Sequence, residues 1–423
     1  MTTAEPQPPV DWLRMLVCPF DRGDLSRAGD GSLRCPSGHR FSTEGGIADL
    51  TVVEDRESHL HHRPQRRLEG ITDYEDNLRA PSPSPRCSRL RHGIASVTAA
   101  ARSARFFATK VRSASASFAR EGPDSAPPPP SDPVFAFYPG GYTQALTKRL
   151  EKEVFWKAVD FTDPACEIGV HTGQASAYLF GEREIAFGSD YVPSSLRKGS
   201  FRHPVLFSAN VKYLPFRDSS LGTVLSSQTI PCIHASIISV LGEINRVLRP
   251  GGRLAFTAHG PAFWWWLPHG GWPEVGLSRV ECARRIEERV SYMSHLYGLD
   301  EWRQILEACG FEIALSRGLL SLDLARYAQL FYVEENAGRS IFAERCKKGL
   351  FGAVVRTMLL GRRALENCER DFAGMMQRIL AHELSEHSAD EFDDRRFLDA
   401  GILAIKTREL AGRVSRLQPR PPR

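Results

Sequence analysis

From about Tyr142 onward, the apolar positions switch repeatedly between helical spacing and short buried runs. "YTQALTKRLEKEVFWKAV" has helical periodicity, "ACEIGV" reads as a strand and residues 173–181 suit a helix. "EIAFGSDY" follows as a strand, "SSLRKG" as a short helix, and "PVLFSANV" and "GTVLSSQTI" as further strands. The helix "SIISVLGEINRVL" and the strand "RLAFTAH" complete the run. This alternation predicts an α/β fold, a parallel sheet with helices on both faces. Later strands are expected at Phe311–Ile313 and at "AGILAIKTREL".

The pattern changes outside this region. Residues 12–53 hold a compact Cys/His cluster. Residues 54–134 are rich in Ser, Pro and Arg and end in "PDSAPPPPSDP", too proline-dense for a helix or a central strand. Residues 135–412 form the α/β domain, with a helical insert at about 320–391, and residues 413–423 read as a disordered tail. Inside the linker, Leu90, Ile94, Val97, Ala101, Ala104, Ala108 and Val111 recur at helical spacing. Arg86–Arg120 contains eight Arg/Lys and no acid, which reads as a solvated helix or as one lying on an anionic surface.

Composition bounds the class. The chain of 423 residues, 42% hydrophobic and 25% charged, has the make-up of a soluble globular protein. A net charge of +5 is compatible with an anionic partner without demanding one. No apolar run is long enough to span a bilayer and no signal-peptide pattern opens the chain, so a cytoplasmic location is expected. Nine scattered cysteines fit a reducing compartment.

The chemistry starts at "CEIGVHTGQASAYLF", a strand, a glycine turn and a helix start. Such units bind nucleotides, because glycines let the backbone approach the ligand. Here an acid, Glu167, precedes Gly169, and the next glycine is Gly173, so the spacing is wrong for a pyrophosphate. An acid suits an ammonium group instead. Asp190, ending "GSDY", can accept both hydroxyls of a ribose. Together these groups describe S-adenosylmethionine (SAM).

"EIGVHTG", "GSDYVPSSL", "ANVKYLPFRDSSLGTVLSS" and "LGEINRVLRPGGRLAFTAHGP" resemble the successive motifs of class I SAM-dependent methyltransferases, across roughly residues 140–315. The resemblance implies a Rossmann-like sheet. It also implies that Glu167, Gly169 and Gly173 hold the methionine moiety and Asp190 the ribose. Asn210 and Val211 would then face the adenine, and Gln228 would lie near the sulfonium. His171 stands where many members carry glycine, and Asn210 replaces the usual acid.

At the N-terminus, Cys18, Asp21, Cys35 and His39 have the spacing of a zinc ribbon, with Asp21 where a cysteine is expected. The segment resembles the ribbon of bacterial 23S rRNA guanine methyltransferases and the small zinc-ribbon activator subunit of RNA and protein methyltransferases. One structural zinc, or a metal-free ribbon held by its small core, both fit. His259, ending "TAHGP", is the candidate base. "GPAFWWWLPHGGWPEVGL" reads as an aromatic lid over an apolar pocket or as a loop anchored on its own core. The expectation is methyl transfer to a small planar or lipophilic acceptor, with rRNA or tRNA methylation and a non-catalytic SAM-binding scaffold as the alternatives.

Overall fold

The computed structural model describes residues 10–52 and, with gaps, 142–410. The gaps are positions 182, 200 and 234, residues 265–278, and most of 281–292 and 323–390. The linker helix, most of the helical insert, the rest of the tryptophan loop beyond Trp264 and the tail lie outside the described residues.

In the N-terminal module, β1 (Ser26–Arg27), β2 (Leu33–Arg34) and β3 (Arg40–Phe41) form a small antiparallel sheet. Two strands follow, β4 (Thr43–Glu44) and β5 (Ile47–Asp49). The main sheet adds β6 (Ala165–Ile168), β7 (Phe187–Asp190), β8 (Val205–Ser208) and β9 (Leu221–Ser227). It is completed by β10 (Leu248–His259), β11 (Phe311–Ser321) and β14 (Phe397–Lys406). A separate hairpin, β12 (Val333–Glu334) with β13 (Arg339–Ser340), falls inside the segment expected to be helical. The nine strands of the main sheet run in the order β11-β14-β10-β9-β6-β7-β8-β5-β4. Strands β5 to β10 pair in parallel, whereas β14 is antiparallel to both β10 and β11. This is a Rossmann-like sheet with the order reversing beside β6, where open α/β sheets place their ligands.

The helices are α1 (Tyr142–Leu150), α2 (Gln174–Leu179), α3 (Pro193–Lys198), α4 (Ile237–Val247) and α5 (Leu299–Ala308). Alternate strand residues enter two cores, as the pleat requires. Cys166, Ile168, Val224 and Phe256 join one, and Ala165, Leu225 and Ala255 the other. The helix read across residues 142–159 instead breaks after Leu150 into a wide turn, Glu151–Phe155, and then a tight one, Trp156–Ala158. Wide helical turns of this kind cluster at functional sites.

The ribbon is not free-standing. β5 extends the main sheet by pairing in parallel with β8, Asp49 opposite Ser208. Leu16, Leu33, Phe41 and Leu50 share one core with Phe207 and Phe216, so the module has no separate interior. Among the described residues, no helix is long and apolar enough to cross a membrane.

Candidate functional site

The turn after β6 is built on backbone that side chains resist. Gly169 and Gly173 have φ of 78° and 77°, and a Cβ on Gly169 would overlap the Thr229 side chain. His171 is also left-handed, at φ 48°. The turn is tied to the neighbouring strand by Gly169 N donating to the Ser189 carbonyl at 2.7 Å.

Asp190, at the carboxyl end of β7, faces this turn. Its carboxylate accepts from His171 N and from Val192 N, each at 2.8 Å. Burial pushes the Asp190 carboxyl above its ordinary range, against the N–H groups of Val192 and His171, which favour the charged form. Two backbone donors fix the orientation of the carboxylate and leave lone pairs for further hydroxyl donors.

Glu167 is enclosed instead. Its oxygens are taken by the Ser176 hydroxyl at 2.8 Å and by His203 Nε2 at 3.0 Å, and the residue is 2% exposed. Asn210 follows β8 and is buried, with its side-chain oxygen accepting from Lys212 N at 2.9 Å. Val211, half-buried, packs against the core. Gln228, after β9, has φ 55°, and its backbone N donates to Thr257 Oγ1 at 3.0 Å. Gly169, Gly173, Asp190 and Gln228 thus gather at the carboxyl ends of neighbouring strands.

His259, the last residue of β10, sits opposite Asp399 of β14 and meets it at 2.6 Å through Nδ1. Sequence reading had no means of finding Asp399, which is 140 positions away. It also missed a buried network under the same edge. Lys148 donates to Glu151 at 2.7 Å and to Ser227 at 2.6 Å, while the other Glu151 oxygen accepts from Ser227 at 2.8 Å and from Thr257 at 3.2 Å.

In the ribbon, the candidate ligand atoms of Cys18, Asp21, Cys35 and His39 all lie within 4.8 Å of one another. His39 Nδ1 is 3.5 Å from Cys18 Sγ, 3.3 Å from Cys35 Sγ and 3.2 Å from Asp21 Oδ2, and Cys35 Sγ is 3.4 Å from Asp21 Oδ2. A tetrahedron with Zn–N near ~2.0 Å and Zn–S near ~2.3 Å has edges of roughly 3.3–3.8 Å, so the donor set suits zinc in its chemistry and these four separations are close to such edges. Burial pushes the Cys18 thiol up to about 12; the backbone N–H groups of Asp21 and Phe20 work against the rise and the Asp21 carboxylate adds to it. Burial also works to raise Asp21, but donors from Ser37, Gly23, Cys18 and Cys35 outweigh it and hold the carboxyl well below its usual range.

The family described as "Methyltransferase domain" matches residues 166–256, the span from β6 into β10. With the sheet order, this match defines a SAM-dependent methyltransferase domain, and the protein is an enzyme of that class. Similar solved structures include a chain of the Haloferax volcanii complex between the Trm112 methyltransferase activator and a methyltransferase. It is 15% identical, with 66% of this chain and 99% of that chain covered and a TM-score of 0.35. Haemonchus contortus phosphoethanolamine N-methyltransferase 2 in complex with SAM is 18% identical, with 65% and 57% covered and a TM-score of 0.35. A geranyl diphosphate methyltransferase in complex with SAM is 12% identical, with 63% and 85% covered and a TM-score of 0.32. No curated protein sequence matches the chain.

Proposed function

We propose that the protein transfers the methyl group of SAM to a small-molecule acceptor by direct nucleophilic attack. The observation that carries this reading is the Asp190 carboxylate, fixed by His171 N and Val192 N beside the Gly169–Gly173 turn. A fixed acceptor at that place suits the paired hydroxyls of a ribose. Asn210 and Val211 flank the adenine end, and Gln228 lies toward the sulfonium. When bound, SAM supplies an activated methyl group, so the protein's task is to orient the partners and exclude water. Glu167, held by Ser176 and His203, supports the turn from within and reaches the ammonium group only if the His203 contact opens.

The ribbon, in this reading, carries one zinc held by Cys18, Asp21, Cys35 and His39. A four-ligand site leaves no open position, so its part is support and not chemistry.

Calorimetry with SAM and with its demethylated product tests the central claim. Both are expected to bind with micromolar-range affinity. Absence of heat for either would leave a scaffold that has kept the fold without the ligand.

A further inference from the structure

We propose that Asp399 and His259 form a base positioned for an acceptor hydroxyl, so that the methyl group ends on oxygen. The inference rests on the SAM-dependent reading above and adds the acceptor atom to it.

Three observations converge. First, Asp399 is 1% exposed, and a carboxylate so enclosed needs partners. It has two: His259 Nδ1 at 2.6 Å on one oxygen, and Gln228 Nε2 at 3.4 Å on the other. The pair is therefore tied to the residue placed nearest the methyl donor. Second, the contact fixes the imidazole. With Nδ1–H donating to Asp399, the lone pair sits on Nε2, and that nitrogen makes no hydrogen bond among the described residues. The Phe263 ring, 4.6 Å from the imidazole and edge-on to it, limits its rotation. Third, the pair stands at the carboxyl edge of the sheet, where β10 ends and β14 begins, on the same edge as Gly169 and Asp190.

A neutral amine attacks SAM through its own lone pair and can shed its proton to water afterwards. A hydroxyl is a poor nucleophile until its proton leaves, and for it a held base changes the rate. In the step proposed, the acceptor oxygen forms a bond to the methyl carbon. The carbon–sulfur bond breaks with its electron pair going to sulfur, and the hydroxyl proton moves to His259 Nε2. The imidazolium formed is stabilised by Asp399, a positioning residue, and returns its proton to solvent.

The test uses the full-length protein, methyl-labelled SAM and a panel of planar aromatic acceptors in matched pairs, each pair bearing a hydroxyl or an amino group at one position. Label is expected on hydroxyl members. Asp399→Asn should lower kcat at least 30-fold, with KM for the acceptor and SAM affinity each within about threefold of wild type. His259→Asn should do the same, as a second variant at the last residue of β10, where the ladder ends. Preferred methylation of the amino members would overturn the proposal. So would an unchanged kcat in Asp399→Asn, or SAM binding without transfer to any hydroxyl member. Failure of SAM to bind the unaltered protein would instead remove the methyltransferase reading beneath it.

Discussion

Arg22, one position beyond the candidate metal ligand Asp21, reaches Glu243 of α4 at 3.0 Å and the Leu214 carbonyl at 2.8 Å. Glu243 is also held by Arg246, which bonds both of its oxygens as well as the Phe216 carbonyl and Asp218. One knuckle of the ribbon is thereby fastened to the segment that follows Asn210 and Val211. At the opposite side of the module, Ser208 donates to Asp49 at 2.8 Å and Leu50 N to the Ser208 carbonyl at 2.9 Å. The ribbon grips the segment from Ser208 to Leu214 from both ends. Arg22→Ala should cost about 1–3 kcal/mol of stability, because Glu243 loses a charged donor while buried. It should also weaken SAM several-fold. Thermal melts and calorimetry on the one variant check both, and unchanged SAM affinity would show that the grip serves folding alone.

The metal site gives a second prediction. Metal analysis of the purified protein should find about one zinc per chain, lost in Cys35→Ser. Because Leu33 and Phe41 beside the site share a core with Phe207 and Phe216, removing the metal should lower the melting temperature of the main domain along with that of the ribbon. A metal-free protein that melts like the wild type would show a ribbon held by its apolar core.

Asp190 should make cofactor binding sensitive to mild acid. Its carboxyl titrates above the ordinary aspartate value, roughly 3.9, and only the ionised form accepts freely from ribose hydroxyls. The raised value means that protonation sets in at a higher pH than for an exposed aspartate, so SAM affinity should fall earlier as pH is lowered. Calorimetry between about pH 7 and pH 4.5 should show this decline in wild type. Asp190→Asn should be weaker throughout and nearly flat with pH. Asp190→Ala should lose roughly 1–3 kcal/mol of binding at neutral pH.

What could be read from the sequence and what could not divides by sequence distance. The turn of Gly169 and Gly173, and the place of Asp190 after it, follow from local spacing, because a strand, a tight turn and a helix start each leave a pattern within a few residues. The Cys18–His39 set is likewise local, and its four side chains do come together. The partners of these groups are not local. His259 meets Asp399 across 140 positions, and Arg22 meets Glu243 across 221, through strand order and register that no short pattern encodes. The ribbon reads by composition as a separate unit, yet two residues of β5 in register with β8 make it part of the sheet. Glu151 escaped notice because helical periodicity runs through it unbroken. Only the widened turn places its carboxylate under Ser227 and Thr257.

Gly169 offers the sharpest backbone test. Alanine there would hold a strained left-handed φ and push into Thr229, whose loop also carries Gln228. Overpacking and backbone strain together should destabilise the fold by about 2–4 kcal/mol. Pairing the change with Thr229→Gly removes the clash but not the strain, so the double variant should recover part of the stability. Full recovery would assign the whole effect to packing.

Trp264 bears on the substrate. It stands five residues after His259, at the end of the short helix Pro261–Trp264, and is 51% exposed, unlike its neighbours Ala262 and Phe263, which are buried. Leaving an indole in water forgoes a large apolar gain, which a bound planar or lipophilic acceptor would recover. Trp264→Ala should therefore raise KM for such an acceptor at least tenfold while SAM affinity stays nearly unchanged. An RNA substrate predicts a different response. Its affinity would rest on Lys and Arg contacts to phosphates and would fall steeply as salt rises, because each neutralised phosphate releases counterions. Labelled SAM added to an RNA-free small-molecule extract, and to the same extract with RNA restored, separates the two. Label in the organic-soluble fraction, lost with Trp264→Ala and insensitive to salt, fits the small-molecule acceptor. Label that returns only with RNA and vanishes at high salt would reassign the substrate, and the exposed indole would then be a stacking surface for a base.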